Sequence, residues 1–213
     1  MKIAEFHSLK AILFDAGSTL ITEIPCYQKR IKDTLKENQL SLSEDAFFSL
    51  LLEGAKRQQN PYDYAMEKLQ IPKRVPWDFS SETLYPGVSD LLTELRPHYR
   101  LAILANQPPH FLPRLERLGI AQYFDVILGS EDVHLKKPDP EFFRLALTKL
   151  GLAPGDAVMV GDRLENDIRP AKSLGMKTIW VKQGVSRVEY PFDETEIASA
   201  SVSEITEIAS LLL

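Results

Sequence analysis

"AILFDAGSTL" spans residues 11–20, and its reading decides the fold. Three aliphatic residues and Phe14 run straight into Asp15. Then come Ala16, Gly17, Ser18 and Thr19, and the chain turns apolar again at Leu20. A short, nearly continuous apolar run fits a strand covered on both faces, as in a parallel sheet. A carboxylate at its end, followed by small residues, marks a tight loop at the strand's carboxyl edge.

Four more runs have the same character: "LAILA" (101–105), "DVILG" (125–129), "AVMVG" (157–161) and "KTIWV" (177–181). Helical patterns separate them. "FLPRLERLG" closes on Gly119. "DPEFFRLALTKLG" offers Asp139 as cap, Pro140 in the first helical position and Gly151 past the end. "NDIRPAKSLG" ends on Gly175, with Pro170 in its first turn. This alternation predicts an α/β fold with a doubly wound, mostly parallel sheet. "SVSEITEIASLLL" reads as a last amphipathic helix on that sheet.

Residues 21–85 break the rhythm. Tyr27, Ile31 and Leu35 share one helical face, and so do Phe47, Leu50 and Leu51. "NPYDYAMEKL" supplies Asn60 as cap and Pro61 as first helical residue, and "IPKRVPWDF" is a proline-bearing link. No strand run is predicted here, so the segment reads as an all-helical insertion between the first and second strands. "YPGVSDLLTEL" (85–95) then re-enters the core.

The bulk numbers bound the function. The 213 residues are 44% hydrophobic and 26% charged, with a net charge of −5. That is enough chain for one large domain, or a domain plus a small insertion. No basic stretch suggests a nucleic-acid surface, and no apolar run approaches membrane-spanning length. Cys26 is the sole cysteine, so no internal disulfide can form, and it reads as a packing residue in a helix. "MKIAEFHSLK" lacks the long apolar core of a signal peptide, so the chain reads as cytoplasmic.

The polar residues at the predicted strand ends fall on one rim, where ligands of open α/β sheets bind. Asp15 follows the first run and Asn106 the second. Lys136 and Lys137 follow the third, and Asp162, Asn166 and Asp167 the fourth. Hard carboxylate oxygens suit Mg²⁺, and a positioned lysine with backbone amides suits a phosphoryl group.

In this arrangement the chain resembles the haloacid dehalogenase-like hydrolase superfamily over its whole length. "FDAGSTL", "LAILANQ", "KKPDPEFF" and "VGDRLEND" resemble its four motifs in order. The resemblance implies a Rossmann-like α/β core over 1–20 and 86–213, with a helical cap over 21–85. It implies Asp15 as the nucleophile that becomes an aspartyl-phosphate, with Lys137 and Asn106 as its catalytic partners. It implies Mg²⁺ held by Asp15, the Gly17 carbonyl and Asp162, with Asp167 supporting the metal shell. Ala16 and Gly17 would hold the transferring group through backbone amides. Thr19 would fix the loop, and Ala105 stands at a phosphate-contacting position. The implied reaction is phosphate-ester hydrolysis on a small phosphorylated metabolite, with no nucleic acid or membrane as partner.

Two departures stand out. Phosphatases of the superfamily carry a second Asp two residues after the nucleophile as acid and base, and here that position is Gly17. The residue before Asn106 is Ala105 rather than Ser or Thr. His110, Glu23 and Tyr27 are candidate replacements for the missing proton donor. The alternatives are a silent phosphate- or metal-binding protein, a 2-haloacid dehalogenase, or a phosphonate hydrolase. Superfamily dehalogenases lack the paired acidic residues found here in "GDRLEND". A phosphonate hydrolase would need a cap lysine such as Lys29, Lys32, Lys36 or Lys56.

Overall fold

A computed structural model describes residues 6–213. The start of the "MKIAEFHSLK" segment, residues 1–5, lies outside the described residues. The five apolar runs form β1 (Ala11–Phe14), β4 (Arg100–Ala105), β5 (Val126–Gly129), β6 (Ala157–Gly161) and β7 (Lys177–Val181). Every pairing among them is parallel, in the order β5-β4-β1-β6-β7. From β1 the chain runs outward to β4 and β5, then returns to β6 on the other side. The order therefore reverses between β1 and β6, and a crevice opens there at the carboxyl ends of the strands.

The strands are apolar throughout because both faces are covered. Ile12, Phe14, Leu101, Ile103, Val158 and Val160 belong to one core cluster, with α4 (Val88–Leu95) and α5 (Phe111–Arg117) packed into it. Ala11, Leu13, Ala102, Leu104 and Met159 face the other way, against α7 (Pro140–Leu150) and Ala171 of α8 (Arg169–Ser173). Asp139 caps α7 by accepting from the Glu141 N–H at 2.9 Å, and Gly151 ends it with φ of 66°.

Three expectations differ from the structure. The C-terminal segment begins with a sixth parallel strand, β8 (Ala200–Val202), and its helix α9 is short (Ile208–Leu212). Three residues are too few to carry a strand pattern, and pairing with β7 makes the strand. The segment 21–85 holds two two-residue strands, β2 (Ile21–Thr22) and β3 (Thr83–Leu84), which pair antiparallel. They tie the ends of the insertion together at its base. Between β6 and α8 the chain takes one wide π-helical turn, Leu164–Ile168, where a helix start was predicted.

Within the insertion, α1 (Ile24–Glu37), α2 (Glu44–Lys56) and α3 (Pro61–Lys68) bury their own core around Ile31, Phe47, Leu51, Tyr62 and Met66. Asn60 caps α3 by accepting from the Asp63 N–H at 3.0 Å. Cys26 is buried in α1, and burial pushes its thiol up to about 12. The short helix α6 (Ser130–Val133) leads into the loop that carries Lys137. Among the described residues, no helix is long and apolar enough to cross a membrane.

Candidate active site

The loop after β1 is wound tightly on itself. Asp15 N–H still donates to Val160 O at 2.9 Å, which extends the sheet register by one residue. The Ala16 carbonyl then accepts from both Leu20 N–H and Ile21 N–H at 2.9 Å. The Ala16 side chain is fully buried in the core, leaving its N–H beside the Asp15 carboxylate. This turn aims Asp15 out of the sheet into the crevice.

Lys137 reaches the same point from the β5 side. Its Nζ lies 2.5 Å from Asp15 Oδ1 and 2.6 Å from Asp167 Oδ1. Asn106 fixes the lysine's backbone by a reciprocal pair of hydrogen bonds: its Nδ2 donates to Lys137 O, and its Oδ1 accepts from Lys137 N–H, both at 2.8 Å. Thr19, fully buried, donates to Asp15 Oδ2 at 3.2 Å, so its hydroxyl acts on the carboxylate from below. Lys136 is exposed. Ala105 is packed into the core below the rim.

The acidic loop after β6 completes the cluster. A Cβ on Gly161 would lie 2.4 Å from Asp167 Cγ, so only glycine lets Asp167 fold back against the strand end. The Arg163 N–H then holds Asp167 Oδ2 at 3.0 Å, and Trp180 Nε1 donates to the Asp162 carbonyl at 3.0 Å. Sequence reading missed Glu189, a remote residue that pairs with Arg163 Nε at 2.7 Å and accepts from Leu164 N–H at 3.0 Å. No local motif surrounds Glu189, so only the folded chain shows it holding this loop.

Asp15, Asp162 and Asp167 each present an oxygen within 4.8 Å of the others, and all three residues are buried. Burial pushes Asp15 up to about 6. Lys137 pulls against this, and the Asp167 charge adds to it. Burial, and then the Asp15 and Asp167 charges, hold Asp162 well above the usual carboxylate range. Burial alone would lower Lys137, but Asp15 and Asp167 outweigh it and hold the ammonium above its ordinary value. Three crowded carboxylates and one cation leave excess negative charge in a buried cluster. Oxygen-only donors carrying that charge fit a small, hard divalent cation.

The cluster lines a cavity of about 270 Å³ bounded by Gly17, Ser18, Glu23, Asn106 and Asn166. A second cavity of about 520 Å³ adjoins it, lined by Arg30, Tyr62, Trp77 and Phe79, and shares Glu23, Tyr27 and Asn106 with the first. Glu23 is pushed up to about 7 by burial, against the hydrogen bond from Ser18 and with a further push from Asp15 and Glu82. His110 is exposed, and so are Lys29, Lys32, Lys36 and Lys56; none of the five lines either cavity.

A family model described as haloacid dehalogenase-like hydrolase matches residues 9–175, which takes in every element named above except the last strands and α9. The chain belongs to that family. A relative from Pyrococcus abyssi, described as a glyceraldehyde 3-phosphate phosphatase, is 29% identical over 196 residues, covering 83% of this chain and 82% of its own. Among solved structures, a family phosphatase from Thermococcus onnurineus superposes with a TM-score of 0.66 at 26% identity, over 96% of this chain and 98% of that one. A predicted phosphoglycolate phosphatase from Haemophilus somnus gives 0.73 at 25% identity, over 97% and 99%. This chain is thus an enzyme of the haloacid dehalogenase-like family, on that family's α/β sheet.

Proposed function

We propose that the protein is a Mg²⁺-dependent phosphatase acting on a small phosphorylated metabolite through an aspartyl-phosphate at Asp15. The observation that carries this reading is the buried contact of Lys137 with both Asp15 and Asp167 beside Asp162. That arrangement gives a nucleophile, a charge-compensating cation and a set of acidic oxygen donors around one cavity. The Pyrococcus abyssi relative is described as a phosphatase of glyceraldehyde 3-phosphate, a small phosphate ester. Glu23, Tyr27 and Asn60 of the helical segment line both cavities, which supports reading residues 21–85 as a cap.

Asp15 projects from the end of β1 with Oδ1 held by Lys137 and Oδ2 by Thr19, so its orientation is set before substrate arrives. Attack on phosphorus by a fixed carboxylate divides one displacement into two. Lys137 offsets the charge that gathers on the phosphoryl oxygens, and the Ala16 and Gly17 backbone amides would donate to them. Asp15, Asp162 and Asp167 would hold the metal, which supplies charge neutralisation for the transferring group.

Two results are expected. A panel of phosphorylated metabolites that includes glyceraldehyde 3-phosphate should release inorganic phosphate with Mg²⁺ and lose it in excess chelator. Full activity in chelator would remove the metal from this account. Mg²⁺ alone should also raise the thermal midpoint, since a ligand at 100 times its Kd stabilises the folded state by about 2.7 kcal/mol. Loss of this shift in Asp162→Asn would tie it to the cluster.

Asn106→Ala should weaken the positioning of Lys137. Two neutral hydrogen bonds together contribute about 1–3 kcal/mol, so kcat/KM should fall by roughly 5–150-fold. An unchanged kcat/KM would return Asn106 to a turn residue.

A further inference from the structure

The space above Gly17 is filled from the helical segment. A Cβ built on Gly17 would lie 2.6 Å from Glu23 Oε1, 2.8 Å from its Cδ and 3.0 Å from Oε2. Gly17 is not among the residues with positive φ, so the backbone there does not require glycine. What excludes a side chain is the Glu23 carboxyl group itself. Ser18 Oγ donates to Glu23 Oε2 at 2.9 Å, and Glu23 O accepts from Tyr27 N–H at 2.9 Å, so both ends of the residue are fixed. Glu23 lines both cavities, the one that holds Asp15 and Lys137 and the one lined by Arg30, Tyr62 and Trp77.

We propose that Glu23 is the proton donor and acceptor of the reaction, its carboxyl group occupying from the base of α1 the space that an aspartate side chain at position 17 would fill. This rests on the phosphatase reading above. In the first step an Asp15 oxygen bonds to phosphorus and the bond from phosphorus to the leaving oxygen breaks. The Glu23 proton passes to that oxygen, giving a free alcohol in the second cavity. In the second step the Glu23 carboxylate takes a proton from water as the water oxygen bonds to phosphorus. The bond between Asp15 and phosphorus breaks, releasing phosphate and restoring Asp15. The other two candidates are placed less well. His110 lines neither cavity. Tyr27 borders both, but no atom of it is among those nearest to the side-chain position of Gly17.

The experiment compares Glu23→Gln with the parent protein on an alkyl and an aryl phosphate in Mg²⁺. The amide keeps the acceptor for Ser18 but carries no acidic proton. Turnover of the alkyl phosphate should fall by about 10²–10⁴-fold. The aryl phosphate needs no proton on its leaving oxygen. It should give a burst of about one phenolate per active site, then slow turnover, with a phosphoryl group retained on the protein by intact mass. An equal loss on both substrates with no burst would overturn the proposal, and so would an unchanged alkyl rate.

A second pair of variants covers a folding defect. Gly17→Asp alone should lower alkyl turnover, because two carboxylates then contest one space. Gly17→Asp combined with Glu23→Ala should recover about tenfold or more over Glu23→Ala alone. A rise in Gly17→Asp alone, with no effect of Glu23→Gln, would show that Glu23 only fills an empty position. If the parent protein hydrolyses neither substrate, the phosphatase reading falls and this assignment falls with it. If the parent is active and Glu23→Gln matches it, only the assignment falls.

Discussion

Asp15→Asn is expected to lose turnover of every phosphate ester by on the order of 10⁴-fold or more, the scale seen when a covalent nucleophile is removed. The loss should be the same for alkyl and aryl substrates, since both must pass through the bond from Asp15 to phosphorus. The fold should survive. Asn keeps the side-chain volume and an oxygen that can accept from Thr19. Lys137 keeps Asp167 at 2.6 Å, so its charge is not stranded. The substitution also removes one of three buried, mutually repelling carboxylates. Without metal, the thermal midpoint of the variant should match or exceed that of the parent at neutral pH. Calorimetry and a matched kinetic assay check both halves, and surviving turnover above background would show that the reaction does not pass through this residue.

Lys137→Met should have the largest effect on stability. Lys137 is 4% exposed and is the cation paired with Asp15 and Asp167. Met fills the stem's volume but leaves the carboxylates facing one another. Removing one partner of a buried ion pair costs about 3–5 kcal/mol. For a chain of this size each kcal/mol is about 2–4 °C, so the metal-free midpoint should fall by roughly 6–20 °C. The deficit has a pH sign. Burial and neighbouring charge raise Asp15 and Asp162 above their unfolded values. Such groups lose stability as pH rises through the folded value, and removing Lys137 takes away the charge that holds Asp15 down. The deficit should therefore be small near pH 5, where the cluster takes up protons, and grow toward pH 8. Mg²⁺ should narrow it by restoring positive charge. A midpoint unchanged across this range would mean that Lys137 does not compensate the cluster.

The sheet was legible because its strands are buried on both faces, so "AILF" and "AVMVG" needed no alternation to stand out. β8 was hidden because "ASV" is short and half exposed. β2 and β3 were hidden because two residues cannot show a period, and each exists only as the other's partner. For the candidate site, the order of polar residues at successive strand ends was enough to bring Asp15, Lys137, Asp162 and Asp167 to one rim. Their mutual roles were less visible. Nothing in "LAILANQ" says that Asn106 grips the backbone of Lys137, and nothing near Glu189 says that it holds Arg163 and Leu164. The clearest case is Glu23, which in sequence is one acid among many at the edge of a helix. Only the folded chain puts its carboxyl group on top of Gly17.

The central claim is that a phosphoryl group passes through Asp15. The most direct measurement is acid quenching of the enzyme during steady turnover, followed by proteolysis and mass mapping of the "AILFDAGSTL" peptide. The account predicts one phosphoryl group on that peptide, placed on Asp15, absent without substrate and, with an aryl phosphate, enriched in Glu23→Gln. Turnover accompanied by no phosphoryl group on the protein, or by one on another residue, would contradict it.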